Sequence, residues 1–145
     1  MLPQLARWSL LMKCWQLLVA AGCMVGLVGC GEKRMNIRGR IVKGGSAYVV
    51  PADDFMRVTF VPVSSDGQAP MTCYIADYNN EDGTFKALGA NLAGIPKGKY
   101  QITVAHERKR KDLFNGAFEV GKTPFVFDIN SISDEIVIDL DKRKS

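Results

Sequence analysis

Beyond residue 36 no stretch of ten or more residues keeps a helical period. Apolar residues recur instead at every second position, in short runs parted by turn signals. That pattern suits a half-buried strand and no packed helix. Seven runs carry it: NIRGRIVK (36–43), MRVTFVPV (56–63), MTCYIADY (71–78), TFKAL (84–88), GKYQITVAH (98–106), PFVFDI (124–129) and EIVIDLD (135–141). In the last, Ile136, Ile138 and Leu140 share one face and Val137, Asp139 and Asp141 the other. The joints agree: SSDGQ and NNEDGT hold Asp-Gly pairs that tolerate positive φ, and IPKG places Pro96 and Gly98 as a type I turn requires. Short strands at this spacing predict an all-β fold, a seven-stranded antiparallel β-sandwich over 36–141. The inward set is Ile37, Ile41, Val58, Phe60, Ile75, Phe85, Tyr100, Ile102, Val104, Phe127, Ile136, Ile138 and Leu140. The same alternation sends Cys73 inward with Ile75.

The first 29 residues differ in kind. MLPQLARWSLLMK holds Arg7 and Lys13 and no acid, and the 16 residues 14–29 carry no charge. That run is short for a spanning helix, which takes about 20 apolar residues, and ample for a secretory signal. It ends in Leu27–Val28–Gly29–Cys30, which resembles the lipobox of bacterial lipoproteins. A small residue lets a peptidase reach the Gly29–Cys30 bond, and the thiol of Cys30 is a soft nucleophile able to take a diacylglyceryl group. Several acyl chains give stable anchoring where one does not. AAGC at 20–23 competes less well, because its first position is Ala and it shortens the apolar core. An uncleaved span over 8–29 with Lys13 snorkelling is the alternative. The expected organisation is a signal peptide (1–29), a lipidated Cys30 with a short tether (30–35), the sandwich (36–141) and a basic tail (142–145). The domain then lies on the periplasmic, non-cytoplasmic face of a cell-envelope membrane. Gly31 gives no Asp-type retention signal, which leans towards an outer membrane.

The strand residues also resemble a family: the carboxypeptidase-regulatory-like, transthyretin-like domains of bacterial lipoproteins. The matching marks are Gly39 in the first strand, VTFVP (58–62), DGTF (82–85), GIPKGKYQITV (94–104) and the closing IVIDL, over about residues 37–141. The family's Gly-x-Pro after the first strand is replaced by GGSAYVVPADD. The resemblance implies a transthyretin-like or Ig-like sandwich and no particular activity. A hydrolase of purine breakdown shares the fold, but its several histidines and its Tyr-Arg-Gly-Ser ending have no counterpart in DLDKRKS. Related collagen-adhesin domains form an isopeptide bond with a buried Glu, and Val104 stands in that place here.

Charge and composition narrow the functions. Two of the 19 basic residues lie in the leader, so the rest of the chain sets 17 against 15 acids, too balanced for a nucleic-acid partner. With Cys30 modified, Cys73 is the one remaining thiol of the mature chain and His106 the one histidine. No catalytic set, metal or cofactor is expected from these residues. His106 is expected to be solvated at a strand end; an imidazole set against an acid in a pocket would instead point to catalysis. DYNNEDG mimics the start of a calcium loop, yet its Gly falls one place late and no bidentate Glu follows, so a hairpin turn is expected. Two weak binding features remain. Tyr74 and Tyr78 share a strand face on which, if open, a sugar or peptide could stack. Arg108, Lys109, Arg110 and Lys111 form a basic run suited to an anionic surface. The sequence therefore predicts a non-enzymatic envelope lipoprotein, held to the membrane through Cys30. Its loops, 47–54 and 107–115 among them, meet a protein partner or, alternatively, carbohydrate or another envelope polymer.

Overall fold

The computed structural model describes residues 33–64, 72–130 and 135–142. The leader, the Gly29–Cys30 bond, all of the SSDGQ turn but Ser64, and most of the basic tail lie outside them. Among the described residues eleven strands form: β1 (Arg34–Met35), β2 (Ile37–Lys43), β3 (Ser46–Ala47), β4 (Phe55–Pro62), β5 (Tyr74–Tyr78), β6 (Thr84–Ala87), β7 (Ile95–Pro96), β8 (Gly98–Arg108), β9 (Lys111–Asp112), β10 (Val126–Ile129) and β11 (Ile136–Asp139). The seven longer ones coincide with the seven alternating runs. The four two-residue strands are too short to show a period.

The long strands are hydrogen-bonded in the order β10-β8-β4-β5-β6-β2-β11, with β3 on β2 and β9 on β8. They close over one core as an all-β sandwich. Pairing is antiparallel except between β11 and β2, which run parallel. Nearly the whole domain separates those two in sequence. A connection that long sets no direction, whereas a tight hairpin forces antiparallel pairing.

The core follows the alternation. Ile41, Val58, Phe60, Ile102 and Ile138 are fully buried, and Phe85, Tyr100, Val104 and Leu140 nearly so. Phe60 lies with its ring centroid 6.1 Å from those of both Phe85 and Tyr100. Gly39 is what lets β2 and Phe85 meet. A Cβ there would stand 2.3 Å from both the Ile136 carbonyl oxygen and the Phe85 ring.

One strand presents the face opposite to the expected one. Ile75 is 64% exposed and Cys73 is exposed, while Ala76 is buried and Tyr74 and Tyr78 pack against the core. The register explains it. Tyr74 stands opposite Phe60 and Ala76 opposite Val58, and directly opposed residues point to the same side. Burying Ile75 would also have buried Asp77, two places on. Tyr74 fills the inner face instead, its ring 6.2 Å from that of Tyr100.

The registers define two ends. At one, β1 pairs with β7, just before β8 begins. At the other, β8 ends at Arg108 beside the start of β4, with Glu107 opposite Phe55. At about 3.3 Å per residue, the 11 residues of β8 separate these ends by about 35 Å.

Candidate functional site

The end where β8 finishes is built from two loops, 47–54 and 109–117. Alternation that buries Tyr100, Ile102 and Val104 also turns His106 inward, because β8 runs two residues past it. His106 is 4% exposed, not solvated as the sequence had suggested. Its Nδ1 lies 2.8 Å from the Tyr48 hydroxyl and its Nε2 2.9 Å from Asp54 Oδ2. Arg108, two residues on, reaches across with Nε at 3.0 and 2.8 Å from the two Asp54 oxygens. The Asp54 side chain is 4% exposed, so a neutral neighbourhood would penalise its charge. The Arg108 guanidinium, and then His106, hold its carboxyl below the usual carboxylate range, outweighing burial. An ionised Asp54 accepts a hydrogen bond from His106 Nε2–H, and in that neutral tautomer Nδ1 accepts from the Tyr48 hydroxyl.

Further bonds fasten the same end. The Tyr78 hydroxyl donates to the Tyr48 carbonyl, and the Asn80 amide donates to the Asp54 carbonyl at 3.3 Å. Asp112 accepts from the backbone N–H groups of His106, Phe114 and Gly116. Rings of Tyr48, His106, Phe114, Phe118 and Phe125 follow one another with centroids 5.3–5.9 Å apart. Burial raises the Tyr48 pKa, and burial pushes that of Tyr78 up to about 12.

Hydroxyl, imidazole and carboxylate in a row is the order of a nucleophilic triad. The details here are those of a fastener. His106 and Asp54 are closed off from solvent, and a raised tyrosine pKa opposes an activated nucleophile. Neither of two neighbouring grooves is lined by Asp54 or His106. One, of about 470 Å³, runs over the outer face of β4 and β8 beside Arg57, Thr59, Thr103, Glu107 and Glu119. The other, of about 450 Å³, lies between the 113–118 segment and Lys43, Leu140 and Asp141.

Exposed at this end are apolar side chains, two basic residues and Asp53. Val49 and Phe55 are each 57% exposed, and Leu113 is 38% exposed. Lys109 and Arg110 make the two-residue turn between β8 and β9, with φ of 48° and 65°. That left-handed turn is normally given to Asn or Gly, and holding two long basic residues there costs about 1–2 kcal/mol per residue. Strain of this kind collects at functional surfaces.

The basic run is thus divided: Arg108 turns back to Asp54, whereas Lys109 and Arg110 are exposed at the tip and Lys111 stands opposite Arg108. The structure does not bring Tyr74 and Tyr78 to an open face. Among the described residues no group of three His, Cys, Asp or Glu side chains is placed to hold a metal ion, and no helix is long and apolar enough to cross a membrane. The Asp54–His106–Arg108 contact was not read from the sequence. The parity of His106 with Val104 and Ile102 was the signal that could have found it. No family model, curated protein or solved structure matches the chain.

Proposed function

We propose that the chain is a non-enzymatic cell-envelope lipoprotein, anchored through Cys30, whose sandwich is a protein-interaction module. The anchor reading is supported by the basic start, the uncharged 16-residue run and Leu27–Val28–Gly29–Cys30. The observation that carries the interaction reading is the Tyr48–His106–Asp54–Arg108 network, buried at His106 and Asp54. It holds the 47–54 loop to the end of β8, and Asp112 ties the 109–117 loop to the same strand, while Val49 and Phe55 stay exposed. A preformed surface loses little conformational entropy on binding, and exposed apolar side chains rimmed by charge suit a protein partner. The partner meets the loop end, about 35 Å from the end that follows the tether.

A second reading, binding of carbohydrate or another envelope polymer, draws on the hydroxyls and carboxylates of the Thr59–Thr103 groove. Tyr74 and Tyr78 lend it nothing, since both are packed against the core.

The test is in-cell crosslinking and pull-down through a C-terminal tag, comparing wild type with Cys30→Ser. A defined protein partner that is lost or reduced in Cys30→Ser is the expected result. Retention on isolated cell-wall material with no protein partner favours the second reading. Unchanged membrane fractionation of Cys30→Ser contradicts lipidation.

A further inference from the structure

The end opposite the fastened loops has its own unusual residues. The segment 89–94 is a closed loop, its neck made by the Gly94 N–H bonding to the Leu88 carbonyl at 2.6 Å. At its tip Asn91 and Leu92 both take left-handed backbone, with φ of 53° and 59°. Leu92 is 69% exposed, the most exposed of the large apolar residues described. An apolar side chain held in a costly conformation and pushed into solvent gains nothing within the domain.

The loop is tied to the N-terminal end of the described chain. Gly94, at φ +86°, packs directly on the Met35 backbone, where a Cβ would stand 2.7 Å from it. Met35 then pairs with Ile95, and Arg34 with Pro96. Lys33, Arg34 and Lys97 are all exposed there. At the same end of β2, Arg38 stands directly opposite Lys86, both exposed. Like charges opposed across a strand pair repel, and an anion between them relieves the repulsion. Asp77, opposite Lys86, offsets one of these charges; Lys99, which faces Asp128 in register, is not counted among them.

Connectivity names the occupant. The uncharged run ends at Gly29, and only three residues separate Cys30 from Arg34. Extended chain covers at most about 3.6 Å per residue, so Arg34 lies within about 15 Å of Cys30. We infer that this end of the sandwich docks on an anionic lipid surface. Leu92 enters the interface, and Lys33, Arg34, Arg38, Lys86 and Lys97 meet the headgroups. The inference rests on the membrane attachment proposed above but not on the chemistry at Cys30, because an uncleaved span would end at the same place. Docking here turns the fastened loops away from the bilayer, where a partner can reach them.

The test places the photo-crosslinking residue p-benzoylphenylalanine at position 92 of the full chain. Membrane-extracted protein is reconstituted in vesicles of phosphatidylglycerol or of phosphatidylcholine, and peptide–lipid adducts are read by mass spectrometry. The same probe at Phe55 and Ile75 supplies the comparison. The expected result is lipid adducts at position 92, several-fold above those at 55 and 75, and more in phosphatidylglycerol. Lys33→Gln, Arg34→Gln and Lys97→Gln should each lower the yield about fivefold. Equal yields at the three sites, or protein adducts in place of lipid at 92, overturn the inference. The mass of the Cys30 peptide is read in the same sample. Adducts at 92 with an unmodified Cys30 leave docking standing and remove only the lipoprotein reading. A lipidated Cys30 with no adducts at 92 does the reverse.

Discussion

Replacing His106 with Phe keeps a ring of similar size between Tyr48 and Phe114, whose centroids lie 5.7 and 5.9 Å away. It removes both ring nitrogens. The bond to the ionised Asp54 contributes about 1.5–3 kcal/mol and the bond to the Tyr48 hydroxyl about 0.5–1.5 kcal/mol. Arg108 still holds both Asp54 oxygens, so the carboxylate is not stranded and the lower half of that range applies. The expected loss is about 2–3 kcal/mol, a fall in Tm of roughly 10–20 °C for a domain near this size. Tyr48→Phe removes only the hydroxyl and should cost about 1 kcal/mol. The two variants share one bond, so the double variant should lose less than the sum by about 1 kcal/mol. Thermal melts of the full chain in detergent, followed by far-ultraviolet circular dichroism, measure all three. Limited proteolysis should find the 47–54 loop cut faster in His106→Phe. A His106→Phe melt within two or three degrees of wild type, with strictly additive losses, would show that the network fastens nothing.

Gly39→Ala should destabilise by about 1–3 kcal/mol or more, since the new methyl meets a backbone oxygen and a core ring at 2.3 Å; a denaturant melt checks this. Tyr74→Ala should cost about 3 kcal/mol, whereas Ile75→Ala should stay within about 0.5 kcal/mol, and melts showing the reverse order would restore the inverted face of β5. Asp54 has its folded pKa lowered, so its contribution is present above the unfolded value of about 3.9 and is lost as pH falls through the folded one. Melts across pH should therefore show the gap between wild type and Asp54→Asn steady from about pH 5 to neutral and closing below about pH 4. Tyr78 has a raised pKa, so its contribution is intact below about pH 10 and lost as pH climbs towards about 12, which ultraviolet titration of wild type against Tyr78→Phe reads directly.

Most of the strand layout was legible because period two is a local property, visible wherever one face is buried. Ile136, Ile138 and Leu140 against Val137 and Asp139 needed no tertiary knowledge. The face of β5 was not legible from its apolar residues alone. Tyr74 and Ile75 both suit a core, and only the pairing with Phe60 and Val58 decides between them, although Asp77 sharing parity with Ile75 was a usable clue. The parallel β2–β11 pair depends on a connection too long to carry a directional signal. The fastened loop end was hidden for another reason. Tyr48, Asp54 and His106 are separated by up to 58 residues and follow no motif, so the bond between them exists only once β8 extends to Arg108. The short strands β1 and β7, which tie the 89–94 loop to the tether, leave no period at two residues each.

A ready-made binding face at the fastened loops should be visible by photo-crosslinking in cells, with p-benzoylphenylalanine at Val49 and at Phe55 against the same probe at Ile75 and Val137 on the sheet faces. Positions 49 and 55 should give one protein adduct of the same mass, weakened by His106→Phe, and 75 and 137 none of that mass. The same adduct from all four positions, or from the sheet faces alone, would mean that the loops are no such face.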